Sequence, residues 1–154
     1  MMNTELQNSI RAIRIIHFAL MMGVLLFLLA SVFINQQTGA LAFEEGSPEA
    51  DIFLVVSNII AIAAITGGAF VFRSRLKGID SLNLQDKLLK YREAHIIRAA
   101  TIESPAFFFL VCFILFGTPV FIIEAICCFA ILGFLFPSTS RIAKEIKHDV
   151  SAFY

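Results

Sequence analysis

Between Asn35 and Asp51 the chain carries no Lys and no Arg, and on each side of that gap runs a long apolar stretch, Ile15 to Ile34 and Ile52 to Phe72, without one Asp, Glu, Lys or Arg. Each stretch reaches the ~20 residues that a helix needs to cross ~30 Å of hydrocarbon. Two shorter apolar runs follow, Thr101 to Phe116 and Val120 to Phe136, and their moderately polar flanks extend both to full length. Hydrophobic residues make up 58% of the 154 positions and the mean hydropathy is +0.84. A soluble domain holds about 45–50% apolar residues. The reading is a single all-α membrane domain over residues 1–154, with spans at 12–34, 52–73, 98–117 and 119–137 and an outer loop at 35–51.

Charge segregation orients those spans. The net charge is zero, yet all twelve basic residues fall in three segments: Arg11 and Arg14; Arg73 through Arg98; and Arg141, Lys144 and Lys147. The intervening loop holds Glu44, Glu45, Glu49 and Asp51 instead. Cations resist translocation, so the basic segments belong on the cytoplasmic side and the acidic loop outside. Gly117-Thr118-Pro119 is then a tight outer turn, and both termini are cytoplasmic. A cleaved signal peptide is the alternative for the first segment, with Arg11 and Arg14 as its basic start and Ala40-Leu41-Ala42 as its cleavage site; its apolar core exceeds the usual ~7–15 residues.

The spans pair into two hairpins that repeat each other. At an offset of 81, Arg11, Ile15, Ile16, Ala19, Phe27 and Leu29 match Arg92, Ile96, Ile97, Ala100, Phe108 and Leu110. At an offset of 66, Ile60, Ala64, Ile65, Gly67, Phe70, Ser74 and Arg75 match Ile126, Ala130, Ile131, Gly133, Phe136, Ser140 and Arg141. Tandem hairpins of one orientation form a four-helix bundle related by an axis along the membrane normal. Ala61, Ala63, Ala64, Gly67 and Gly68 allow close helix approach in the second span, where packing rather than escape from water drives association.

Residues 78–97 form more than a linker. Gly78 breaks the second helix, Ser81 or Asn83 caps a new one, and Leu84, Leu88, Tyr91 and His95 fall on one helical face that can run on into the third span. Lys87, Lys90, Arg92 and Arg98 then face lipid headgroups or a protein partner. The run Leu88-Leu89-Lys90-Tyr91-Arg92-Glu93-Ala94-His95-Ile96-Ile97-Arg98, followed by Glu103-Ser104-Pro105-Ala106-Phe107, resembles an uncharacterised family of four-helix membrane proteins common in Bacteroidota, most strongly from Leu82 to Gly117. Ser104 stands where Gly is expected in that family. The resemblance implies topology and no chemistry. The tandem hairpins are also similar in architecture to the duplicated proteolipids of rotary ATPases, with Glu124 as the corresponding ion carrier, but the long basic loop and the single Gly23 of the first span depart from that pattern.

Ionisable groups inside a span are functional candidates because they are costly there. Glu103 lies ~7.5 Å deeper than Arg98 at 1.5 Å per residue. Ser104 and Pro105 follow it, and the proline removes a helix hydrogen bond to Thr101, creating a kink beside a carboxylate. Such a broken segment can hold a proton or cation; the structural alternative pairs Glu103 with His17 or Arg98. Glu124 sits ~7.5 Å below the outer surface, level with its repeat counterpart Asn58. The two either lock the second and fourth spans together or leave Glu124 as a proton or cation acceptor. No ionisable residue bridges the two carboxylates, so a proton relay needs water or the hydroxyls of Thr66 and Ser31.

No assembled enzyme chemistry is present. Cys112, Cys127 and Cys128 lie in apolar spans without C-x-x-C spacing, and His17, His95 and His148 lack metal-ligand spacing, so neither metal nor cofactor is expected. Ser104 near His17 is the one nucleophile and base pair that can be nominated. The basic residues track the membrane boundary, which disfavours nucleic acid. Two functions remain: a non-catalytic membrane subunit that binds lipid, copies of itself or other membrane proteins, and a small proton or cation transporter using Glu103 or Glu124.

Overall fold

The computed structural model describes residues 2–43 and 47–148, and among these it is entirely helical. The helices are α1 (Met2–Thr38), α2 (Pro48–Arg75), α3 (Leu84–Phe116), α4 (Val120–Phe134) and α5 (Thr139–Glu145). The first three are each long and apolar enough to cross a membrane. Glu44 and Glu45 lie outside the described residues.

Local chemistry sets the helix boundaries. Pro48 opens α2, where its missing N–H is no loss, and Glu49 and Asp51 sit in the first turn beside the positive end of the helix dipole. Arg73 and Arg75 occupy the last turn, where cations complement the carbonyl end. Gly78 then takes a left-handed φ of 73°, and Asn83 caps α3 by accepting from the Asp86 N–H at 2.9 Å. From Leu84 the helix continues to Phe116, so the amphipathic stretch and the third span are one rod. Pro105 lies inside it without ending it. Gly117, at φ 69°, stops α3, and its N–H bonds back to Phe113. The N–H groups of Leu41 and Ala42 reach over to the Ile114 and Leu115 carbonyls, satisfying acceptors that every helix end leaves open.

The fourth expected span, 119–137, is realised differently. Helix α4 has 15 residues, ~22 Å at 1.5 Å per residue, and stops at Phe134. Pro137 denies the helical region to Phe136, and Ser138 caps α5, which leaves at 79° to α4. Only as a bent pair do α4 and α5 pass the length and composition test that α1 to α3 pass singly. The hairpins are therefore unequal, α2 having 28 residues and α4 15.

Helix α3 is the axis of the bundle, with α1, α2 and α4 packed around it and α1 also touching α4. Ala50, Ser57, Ala61, Gly68 and Phe72 are the buried positions along α2. A Cβ on Gly68 would lie 1.9 Å from Oγ1 of Thr101, so hydrogen alone fits there, whereas one on Gly67 would meet nothing within 4 Å. Of the small residues in that run, Ala61 and Gly68 face α3, while Ala63 and Gly67 are exposed. The outer faces of α1 and α2 are apolar and uncovered, with Phe18, Phe33, Ile59, Ile62 and Phe70 each more than half exposed.

Two apolar clusters result. One joins Val24 of α1, Ala61 of α2, Ile102 to Phe116 of α3 and Phe121 to Leu132 of α4. The other joins Leu6, Ile10 and Ile13 of α1, Phe72 of α2, Leu88 and Tyr91 of α3, and Ile142, Ala143 and Ile146 around α5. On α1 the break between them falls at His17, and on α3 at His95 and Arg98.

Candidate functional site: a buried polar layer

His17, His95 and Arg98 are all buried, at 1%, 1% and 8% exposure, so their polar atoms must find partners within the protein. An NH2 group of Arg98 lies 3.1 Å from Nδ1 of His95, Nε2 of His95 lies 3.1 Å from Nδ1 of His17, and Nε2 of His17 lies 3.0 Å from the Leu132 carbonyl. A guanidinium can only donate and a carbonyl can only accept. Nδ1 of His95 is therefore unprotonated, its Nε2–H donates to His17, and the Nε2–H of His17 donates to Leu132. Both imidazoles are neutral Nε2–H tautomers, and the chain of donors runs one way from α3 through α1 to α4.

The positive end of this chain is held by α5. NH1 of Arg98 donates to Oε1 of Glu145 at 3.3 Å, and the Tyr91 hydroxyl donates to Oε2 at 2.8 Å. The guanidinium carbon of Arg98 stands 3.6 Å over the Phe72 ring, and Tyr91 stacks on His95 at 5.5 Å. One Arg98 atom, Nε, is buried without a partner. Further out, Arg14 donates from Nε to the Pro137 carbonyl and from NH2 to Oγ1 of Thr139, tying α1 to the corner before α5. Arg141 donates to the Phe134 carbonyl. The Lys147 ammonium donates to Asp80 at 2.8 Å and holds that exposed carboxyl below its usual range.

The residues singled out by sequence are distributed unevenly over this layer. The stripe of Leu84, Leu88, Tyr91 and His95 does face inward, the last three fully. Arg98 and Lys87 are buried rather than lipid-facing, Lys87 at 7% exposure; the helix turns them toward α5 and the Gly78 corner. Lys90 and Arg92 are half-buried, and Lys90 donates to the Lys77 carbonyl. Neither His17 nor Arg98 pairs with Glu103, because His95 and Glu145 have taken them. Glu103 is half-buried beside Gly23, whose missing Cβ would stand 3.5 Å from its Oε1, and it has no hydrogen bond or ion pair among the described residues.

Ser104 is exposed and spends its hydroxyl on the Ala100 carbonyl. That bond removes it from the nominated nucleophile and base pair, since His17 is committed to His95. Asn58 does not meet Glu124: its amide donates to Leu54 one turn back, a local acceptor that needs no second helix. Glu124 is half-buried and likewise without a hydrogen bond among the described residues. Thr66 and Ser31 also bond carbonyls of their own helices. Glu145, the central acceptor of the layer, was not singled out, and Tyr91 was read only as part of the apolar stripe and not as a donor; the one signal for Glu145 was an isolated acid among Arg141, Lys144 and Lys147 after a Pro-Ser corner.

The three cysteines remain free thiols. Among the described residues no group of three His, Cys, Asp or Glu side chains is placed to hold a metal. No family model, curated protein or solved structure matches the chain.

Proposed function

We propose that this chain is a non-catalytic, multi-pass integral membrane protein of a bacterial inner membrane, with both ends cytoplasmic, acting as a subunit or interaction partner in a membrane assembly. The observation that carries this reading is Glu103. In the polar layer nearly every buried donor and acceptor is matched within the chain, whereas Glu103 projects from the apolar stretch of α3 beside the space left by Gly23 and has no partner among the described residues. A carboxyl group in hydrocarbon is costly unless another group bonds it. A helix from a second copy or from another membrane protein, seated at Gly23, supplies that group.

The test is co-purification in mild detergent with mass spectrometry, comparing the native chain with Glu103→Leu and Gly23→Leu. Stoichiometric companions or a dimer in the native chain, lost by tenfold or more in both variants, is the expected result. A native chain that runs as a clean monomer without companions removes the proposal.

The second reading is a small proton- or cation-conducting protein that uses Glu103 or Glu124, favoured by the second unpartnered carboxyl on the same hairpin. Reconstituted vesicles then show a pH-dependent flux that Glu103→Gln or Glu124→Gln abolishes. Equal flux in empty vesicles and in all three proteins eliminates it.

A further inference from the structure

A cleft of about 750 Å³ opens where α2 and α4 part company over α3. Helices α2 and α4 both pack on α3 and barely touch each other, so the flank between them is left uncovered. The floor of the cleft is apolar: Ile65, Ala69 and Phe72 from α2, Ile102 from α3, and Ile131 and Leu135 from α4 and its end. Its rim lies at the basic end of the bundle and carries Arg73, Lys77, Asp80, Glu145 and Lys147, with Arg98 at the base.

Charge pairing leaves that rim cationic. Lys147 is matched to Asp80 at 2.8 Å and Arg98 to Glu145 at 3.3 Å, which neutralises both acids. The side chains of Arg73 and Lys77 have no hydrogen bond or ion pair among the described residues. Among the described residues two uncompensated cations therefore stand above an apolar slot, on a helix whose Ile62 and Phe70 are exposed. An anion with no hydrocarbon attached satisfies only the rim, and a neutral amphiphile only the floor.

We propose that this cleft binds one anionic phospholipid, its headgroup phosphate on Arg73 and Lys77 and an acyl chain laid along Ala69 and Ile131 between α2 and α4. Basic pockets between membrane helices at the cytoplasmic boundary are suited to such headgroups. The inference rests on the membrane-integrated reading above. It goes beyond that reading by specifying a bound lipid.

The full chain, purified in non-ionic detergent, is titrated with phosphatidylglycerol and with phosphatidylcholine of the same acyl chains and read by native mass spectrometry. One phosphatidylglycerol per chain is retained in preference to phosphatidylcholine. The double variant Arg73→Gln/Lys77→Gln lowers its affinity about 25-fold, at roughly fivefold per cation near an anionic headgroup. Ala69→Trp, which fills the floor, weakens both lipids, and Arg11→Gln, which removes one cation on the exposed face of α1, alters neither.

Equal retention of the two lipids by the native chain overturns the proposal, as does undiminished phosphatidylglycerol binding in the charge variant, which needs no core change to fold. So does competition by inorganic phosphate as effective as that of the lipid, which would make this an ion site. Lipid binding seen only after removal of residues 149–154, or only in a monomer split from a lipid-free dimer, assigns the cleft to the chain's own end or to a second copy and equally overturns it. Resistance of the protein to extraction by alkaline carbonate reads membrane integration separately, so a failed lipid preference leaves that reading standing.

Discussion

Nε2 of His95 lies 3.1 Å from Nδ1 of His17, and groups at either end of the pair fix which nitrogen holds the proton. Arg98 cannot accept and the Leu132 carbonyl cannot donate, so both rings are Nε2–H tautomers. Nitrogen NMR of imidazole-labelled protein at neutral pH should show two neutral rings with unprotonated Nδ1. A charged ring, or an Nδ1–H tautomer in either residue, contradicts the assignment. Replacing His17 by Phe leaves the Nε2–H of His95 without its acceptor, at a cost of about 1–3 kcal/mol for a buried polar group left unsatisfied. Unfolding in detergent measures that loss.

Neighbouring glycines on α2 should respond oppositely to the same change. At Gly68 a methyl group would stand 1.9 Å from Oγ1 of Thr101 and 2.9 Å from its Cβ, so Gly68→Ala pushes α2 off α3. Overpacking of this kind typically costs about 1–3 kcal/mol. At Gly67 nothing lies within 4 Å, and Gly67→Ala gains about 0.5–1 kcal/mol from the helix preference of alanine. Comparing the two variants by thermal unfolding separates a packing seam from a general need for small residues. Equal effects at both positions would show that no such seam exists.

Glu145 anchors α5 through a carboxylate that accepts from two positions of α3 about two turns apart, Tyr91 and Arg98. Glu145→Ala leaves the guanidinium uncompensated in a site where Arg98 is 8% exposed. Breaking a buried pair costs about 3–5 kcal/mol, and the side chain of Glu145, 23% exposed, places this one at or below the low end. Removing both charges in Arg98→Met/Glu145→Met should be less harmful than Glu145→Ala alone, because no buried charge is then stranded. A double variant less stable than the single one would mean that the pair contributes more than its desolvation costs.

Acid sensitivity should appear at the Lys147 and Asp80 contact. Lys147 depresses the Asp80 carboxyl, so the contact is fully present above the ordinary carboxylate pKa of ~3.9 and is lost as pH falls through the lower folded value. Both groups are exposed, and the effect is correspondingly small. The melting temperature of Lys147→Met should fall slightly below that of the native chain at neutral pH, with the gap closing in strong acid. A gap that widens on acidification is the opposite sign and rejects the assignment.

Local rules made much of this fold legible from residues alone. Gly78 as a breaker, Asn83 as a cap and the inward stripe of Leu88, Tyr91 and His95 each depend on a few neighbouring positions, and all three hold. The pairings were not legible in the same way. His17 finds a partner 78 positions away, and naming His17 or Arg98 as the partner of Glu103 could not reveal that His95 points to the same level of the bundle. The expected repeat set Asn58 and Glu124 level with each other, yet Asn58 takes the carbonyl of Leu54, because a bond inside one helix requires no register between two. Helix α5 escaped notice for a related reason: seven residues carry almost no periodicity, and its place is set by Glu145, Ile142 and Ile146 docking on distant helices.

The proposed membrane topology sets the twelve cationic side chains at one end of the bundle and the acidic N-terminal turn of α2 at the other. In a chain with Cys112, Cys127 and Cys128 replaced by Ala, single cysteines introduced as Glu49→Cys and Lys90→Cys test this directly with a membrane-impermeant maleimide on intact cells. Glu49→Cys should be labelled from outside, and Lys90→Cys only after the membrane is opened. Labelling of both from the same side, or a protein that leaves the membrane fraction altogether, contradicts it.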